Sequence, residues 1–220
     1  MNKKLILLPF ITVSILATST FAYSGKISYI LGDVNLKSGD KNIKASKNTD
    51  VQAGDTVTTG VQSLTIIEMS DGAQLKLNEK SSLKIPPKEE GTIILTAGSV
   101  FSKIPKQKLK QQFKIVTPTA VMGVRGTQFF TSYGADSKHP SDLWMCVHEG
   151  SVSVTSLLSK KSVLVNEGEG ILVPDKSDLT PPQKYSWTKD LNWNLDPGAG
   201  SVENKIEIKY QKSLLKEDYN

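Results

Sequence analysis

Cysteine occurs once in this 220-residue chain, at position 146, and histidine twice, at 139 and 148. A single cysteine excludes an internal disulfide, and its neighbours Trp144 and Val147 predict a buried, inert thiol. Neither histidine has a second one three to five positions on, so zinc-ligand spacing is missing. Cys146 and His148 would share a strand face merely because a strand has a period of two, which does not make a catalytic pair. Nucleophile elbows and dinucleotide fingerprints are also absent. Asp33, Asp55 and Asp71 flank glycines in turn-like stretches, which explains them without catalysis. Asp71-Gly72-Ala73 does not complete a calcium loop. The expectation is a chain with no catalytic residues, no metal site and no cofactor. Aromatic residues make up 7% and lack the spacing of a single-strand nucleic-acid platform, so nucleic acid is not an expected partner.

Long hydrophobic runs are scarce as well. The longest, Leu5 to Ala17, follows the basic Asn2-Lys3-Lys4 and precedes small residues ending in Thr20-Phe21-Ala22. That is the layout of a secretory signal peptide, and the run is short for a membrane span, which needs roughly 20 residues. Residues 1–22 are therefore expected to be removed, giving a periplasmic or secreted chain that starts near Tyr23 and has no transmembrane segment. Loss of Lys3 and Lys4 lowers Lys+Arg from 27 to 25 against 22 Asp+Glu, a net charge near +3. Part of the excess is local, at Lys103, Lys106, Lys108 and Lys110, and reads as a solvated linker or a patch for an anionic polymer or lipid.

What is abundant is the short apolar stretch closed by a turn. Ile27 to Leu36 carries Gly32-Asp33, Val51 to Val61 carries Gly54-Asp55, and Leu64 to Met69 runs into Asp71-Gly72, beyond which Ala73, Leu75 and Leu77 alternate with polar residues. Asp-Gly between two such runs is a hairpin signature, because the turn demands positive φ. Three places share a Gly-x-Val unit: Gly32-Asp33-Val34, Gly98-Ser99-Val100 and Gly150-Ser151-Val152. Their unequal intervals exclude a regular repeat and suggest short strands that turn corners at glycine. The predicted class is all-β: stacked short strands, solenoid-like or sandwich-like, over residues 23–175.

Residues 176–220 differ in pattern. Pro181-Pro182 suits a helix start, and Trp187, Leu191 and Leu195 fall four apart. A short helical or irregular cap against an open end of the β domain is expected, then a strand-like alternation at Ile206 to Tyr210 and a frayed end.

One stretch places an arginine inside an apolar run: Thr117-Pro118-Thr119-Ala120-Val121-Met122-Gly123-Val124-Arg125-Gly126-Thr127-Gln128-Phe129. Burying an unpaired guanidinium costs several kcal/mol. Arg125 must hold fixed partners, reach a ligand, or escape to solvent at a turn. Bonds to carbonyls left over at a β corner, with Glu149 adding a bidentate pair, form the structural version. The candidate site residues are Thr117, Pro118, Gly123, Arg125, Gly126, Thr127 and Phe129, in a structural or a ligand-contacting role.

This stretch resembles the signature of the FecR domain family, and the resemblance runs from about residue 26 to 174 through Asp71-Gly72-Ala73, Gly98-Ser99-Val100 and Val147-His148-Glu149-Gly150-Ser151-Val152. It implies an all-β extracytoplasmic domain. The best-known members are membrane regulators of sigma factors that sense a TonB-dependent transporter in the periplasm. No sigma-binding helices are expected before the hydrophobic segment, that segment reads as cleavable, and the part after residue 175 does not resemble theirs. The expectation is therefore a stand-alone exported version: a non-catalytic interaction module binding an envelope protein or a peptidoglycan-type polymer. The alternatives are a periplasmic sensor component signalling to a separate membrane protein, and, behind both, a glycan-active enzyme.

Overall fold

The computed structural model describes residues 23–203, save 88, 90, 107–111 and 135–138. The signal-peptide reading, Lys108 and Lys110, and the strand at 206–210 lie outside the described residues. Seventeen strands alternate with tight turns: β1 (Ser24–Leu31), β2 (Val34–Ser38), β3 (Lys41–Lys44), β4 (Asp50–Gln52), β5 (Thr56–Thr59), β6 (Leu64–Met69), β7 (Gln74–Leu77), β8 (Ser82–Lys84), β9 (Thr92–Ile104), β10 (Phe113–Val116), β11 (Ala120–Val124), β12 (Thr127–Tyr133), β13 (Leu143–Glu149), β14 (Ser151–Ser156), β15 (Ser162–Asn166), β16 (Glu169–Val173) and β17 (Gln183–Lys184). The protein is all-β and sandwich-like.

The strands form two layers. The first sheet runs β4-β1-β6-β7-β9-β12-β13-β16-β17 and is antiparallel throughout. The second runs β3-β2-β5-β8-β9-β10-β11-β14-β15 and is antiparallel except for the β9–β10 pair. Strand β9 belongs to both. Its first half pairs with β8 and β10, its second half with β7 and β12. The inward faces bury one apolar core, including Ile27, Val57, Leu75, Leu95, Met122 and Phe129.

The Gly-x-Val units have a common geometric meaning here. Gly32 leads from β1 in the first sheet to β2 in the second, and Gly150 leads from β13 to β14 in the same sense. Gly98 bends β9 between the sheets without ending it, so the two strands expected around it are one. Each corner needs a backbone that turns sharply while staying hydrogen-bonded, and all three glycines have positive φ, 75°, 86° and 77° in the order named. The Asp71-Gly72 turn, by contrast, stays within the first sheet. Ser70-Asp71-Gly72 form a three-residue hairpin loop: the Gly72 N–H donates to the Met69 carbonyl at 2.9 Å, the Ala73 N–H donates to Asp71 Oδ1 at 3.0 Å, and Gly72 takes φ 85°.

Gly98 is the corner with least room. A Cβ there would lie 2.3 Å from Ser81 Oγ and 2.6 Å from the Lys80 carbonyl. Gly54, at φ 99°, faces open space. Gly98→Ala is expected to cost about 2–4 kcal/mol, the sum of φ strain and overpacking, and Gly54→Ala about 1–2 kcal/mol. Denaturant unfolding of the two variants checks this, and equal losses would remove the special role of the Gly98 bend.

Candidate functional site

The motif from Thr117 to Phe129 folds as two strands in different sheets, β11 in the second and β12 in the first, joined at Arg125-Gly126. Thr117 is buried and closes the preceding turn: its Oγ1 accepts from the Ala120 N–H at 3.1 Å, while its own N–H donates to the Ala120 carbonyl at 2.9 Å. Pro118 is exposed in that turn. Gly123 leaves room for the Gln112 amide, whose Nε2 lies 2.7 Å from where a Cβ would stand. Phe129 is in the core, and Thr127 is buried with no hydrogen-bond partner for its hydroxyl among the described residues. Gly126, at φ 63°, packs against Lys106, and the Gly126 carbonyl lies 2.9 Å from the Cβ position of Gly150. The corner of the long motif and the corner of His148-Glu149-Gly150-Ser151-Val152 therefore touch, which leaves no room for a side chain at Gly150, while Gly126 is favoured by its own positive φ.

Arg125 takes the third of its possible routes: it is exposed at the corner. Among the described residues it makes no hydrogen bond or ion pair. This corrects the expected bonds to buried carbonyls. The partner expected in Glu149 is also exposed and is not bridged to it. The physical reason is the change of sheet. A residue at the crossing is released from the inward–outward alternation, so its side chain points past the end of both layers into water.

The largest buried polar feature lies elsewhere, on the outer face of the first sheet. Beyond β16 the chain packs Leu179 against the core, adds β17 to the sheet edge, makes a 3-10 turn at Ser186–Asp190 and crosses that face up to Val202. The cap is thus short and irregular, and it covers a sheet face in place of the open end expected. The side chain of Trp187 lies outside the described ones. Leu191 and Leu195 are buried against Phe101, Phe130, Trp144 and Cys146. Tyr185 meets Trp144 edge-on at 5.9 Å, and Trp193 meets Phe101 edge-on at 5.2 Å while stacking on His148 at 4.5 Å.

Lys76 pins this strap. It is fully buried, lies over the Phe101 ring at 4.3 Å, and its Nζ donates to the carbonyls of Asn192 (2.6 Å), Asn194 (2.9 Å) and Val202 (3.1 Å). Gln128 adds a bond from its amide to the Trp193 carbonyl at 2.6 Å. Burial lowers the Lys76 pKa from 10.5 to about 7, while the three carbonyls and the aromatic face favour the ammonium form. Sequence reading passes over Lys76, because Gln74-Leu75-Lys76-Leu77 alternates like any strand with a wet face. The signal was Leu143 to Val147, a run apolar at every position, as expected of a strand buried on both sides.

Cys146 lies under the strap, fully buried, and burial pushes its thiol pKa up, consistent with an inert sulfur. His148 shares its face as the period of two requires, but its ring is committed to Trp193. Among the described residues no three His, Cys, Asp or Glu side chains are grouped to hold a metal ion, and no helix is long and apolar enough to cross a membrane.

The lowered Lys76 pKa sets a pH dependence. Between pH 7 and pH 10 the unfolded chain keeps a proton on Lys76 that the folded chain sheds, so stability rises with pH, by at most about 1.4 kcal/mol per unit. Above pH 10 the sign reverses at Tyr23. Its pKa is raised by burial and then by Asp71, to which its hydroxyl donates at 3.0 Å, so it stays protonated in the fold while the unfolded tyrosine ionises. Lys76→Met is expected to abolish the rise and to strand three carbonyls, at roughly 1–3 kcal/mol for each left dry. Unfolding free energies across this pH range, for both proteins, test it; an identical slope in Lys76→Met would assign the rise to another group.

No curated protein matches the chain. Two crystal structures of a candidate anti-sigma factor from Parabacteroides distasonis ATCC 8503 share the fold, each with a TM-score of 0.50 and 17% sequence identity. The likeness covers 59% of this chain and 59% of that protein, and at this identity it is a likeness of fold alone. Residues 55–153 match the family described as FecR protein, a span running from the β4–β5 corner to β14 and enclosing the whole Arg125 motif. Residues 55–153 are thus similar to the FecR family, and the strands on either side and the strap lie outside that match.

Proposed function

We propose that this protein is an exported, non-catalytic interaction module of the cell envelope, binding a protein or wall partner through the corner that carries Arg125. The observation that supports it is the state of that arginine. The family motif buries most of its residues to build a corner, then leaves its one charged side chain exposed and without a partner among the described residues. A guanidinium held on a rigid corner presents planar donors suited to a carboxylate or a backbone carbonyl of another molecule. The stem of Lys106, an exposed residue, packs against Gly126 at the same corner. The chemically versatile side chains elsewhere serve the fold: Cys146 and Lys76 lie under the strap, and His148 stacks on it.

A second reading is a sensor component that passes a signal to a separate membrane regulator or transporter. The FecR family match favours it, as does the fold shared with a candidate anti-sigma factor.

Arg125→Ala is expected to melt within about 0.5 kcal/mol of wild type, as exposed substitutions do, and to lose its partner. Pull-down from envelope extracts with both proteins is the measurement. Capture of a transporter favours the sensor, and retention by peptidoglycan favours the wall binder. Capture indifferent to Arg125→Ala would remove the corner from the interaction.

Export is tested separately. N-terminal sequencing of the protein recovered from the envelope should begin near Tyr23, whose ring is already seated in the core. An intact Met1 in the membrane fraction would instead support an anchored protein.

A further inference from the structure

The two outer faces of the sandwich are not alike. That of the first sheet is covered by the strap. That of the second consists of the residues alternating with the core positions Leu36, Val57, Leu83, Ile115, Met122 and Val154. One register row crosses it from β2 to β11 as Lys37, Thr56, Lys84, Ile94, Val116 and Val121. The three apolar residues of the row are half-buried and form a low floor, while the lysines are exposed. Lys114, on β10, points from the same face one pleat away from Val116. Threonine, serine and asparagine fill much of the rest.

Charge on this face has one sign. No strand of the second sheet places a carboxylate on its outer side. Carboxylates stand at its margins: Asp33 precedes β2 and pairs with Lys44 at 3.6 Å, Asp40 lies in the β2–β3 turn, and Asp55, buried, precedes β5. Lys37, Lys84 and Lys114 make no ion pair among the described residues. They stand on β2, β8 and β10, each two strands from the next. Neighbouring strands are about 4.8 Å apart, so the lysines recur at roughly 10 Å.

We propose that the outer face of the second sheet is a docking surface for an acidic polysaccharide. This rests on the interaction-module reading and names a second surface and its ligand. Lys37 and Lys114, four strands apart, stand about 20 Å from each other, beyond the combined reach of two lysine side chains, so the three cannot all converge on one small anion. They fit a chain whose negative groups repeat, lying across the strands. The hydroxyl and amide side chains between them supply hydrogen bonds to sugar hydroxyls, and the low apolar floor accommodates sugar C–H faces. Among the described residues the face has no aromatic side chain, which a neutral glycan would stack on and single-stranded nucleic acid would require. It has no protruding apolar group over its basic half to enter a bilayer, which favours the polymer over a lipid surface.

The test uses the purified chain with polygalacturonate as probe, in affinity electrophoresis at low and high salt. Neutral dextran and vesicles of phosphatidylcholine with phosphatidylglycerol are run beside it. The triple variant Lys37→Gln, Lys84→Gln, Lys114→Gln is compared with Lys47→Gln, Lys176→Gln, Lys184→Gln, which removes the same charge from exposed positions elsewhere. Wild type should be retarded by polygalacturonate, weakly at high salt and not by dextran. The face variant should lose about tenfold in affinity and melt like wild type, and the control should keep it. Absence of wild-type retardation, equal loss in both triples, or vesicle binding without polymer binding would each overturn the proposal. None of these outcomes touches partner capture through Arg125, which is read in a different assay with a different variant.

Discussion

One backbone runs through both layers, and the rest of the sandwich is arranged around it. β9 pairs with four strands, two in each sheet, so its path fixes the position of one layer over the other. A bend in a strand that stays bonded on both sides has few solutions. Here the solution is Gly98 at positive φ, with the Ser81 and Lys80 backbone packed where a side chain would stand. The same demand, a sharp change of sheet, recurs at Gly32 and Gly150, which is why the sequence repeats Gly-x-Val at irregular intervals. The unit marks a crossing, and strand length between crossings is free to vary.

The layers then acquire different outer faces. The first sheet has apolar residues on both sides of β12 and β13, and burying the outer ones requires a cover. The cover is a segment with little regular structure, so many of its carbonyls lack backbone partners. Lys76 answers that need, since one ammonium supplies three donors and three carbonyls accept them. Burying the lysine is costly, as its lowered pKa records, but the carbonyls it satisfies would otherwise be buried dry. Strap and lysine therefore stabilise each other, and neither has a reason to be buried alone.

Much of the fold was legible in the sequence because its signals are local. Asp71-Gly72 fixes a hairpin by the φ that glycine alone takes easily, and the alternation of Leu75 and Leu77 fixes which side of β7 faces the core. What was hidden depends on distant chain. Period two says that Gln74 and Lys76 share a face, but not that residues 192 to 202 will cover it. The cap was expected at an open end for the same reason: a short amphipathic pattern says that a face is apolar, without saying what it meets. Exposure of Arg125 was one of three routes the sequence left open, because Thr117 to Phe129 reads as one apolar run although a change of sheet at Gly126 splits it. Glycine beside a charged residue in an apolar run was the available sign of a crossing.

The residues of the motif differ in what fixes them. Thr117, Gly126 and Phe129 are held by geometry: a turn closed by a threonine hydroxyl, a corner with φ 63°, and a phenylalanine in the core. Each has a structural cause that leaves no function to infer. Arg125 has none, since solvent would accept many other side chains at that corner as readily. Residues whose surroundings dictate them explain why the motif folds. The charged residue whose surroundings leave it free is the one on which the proposed contact rests.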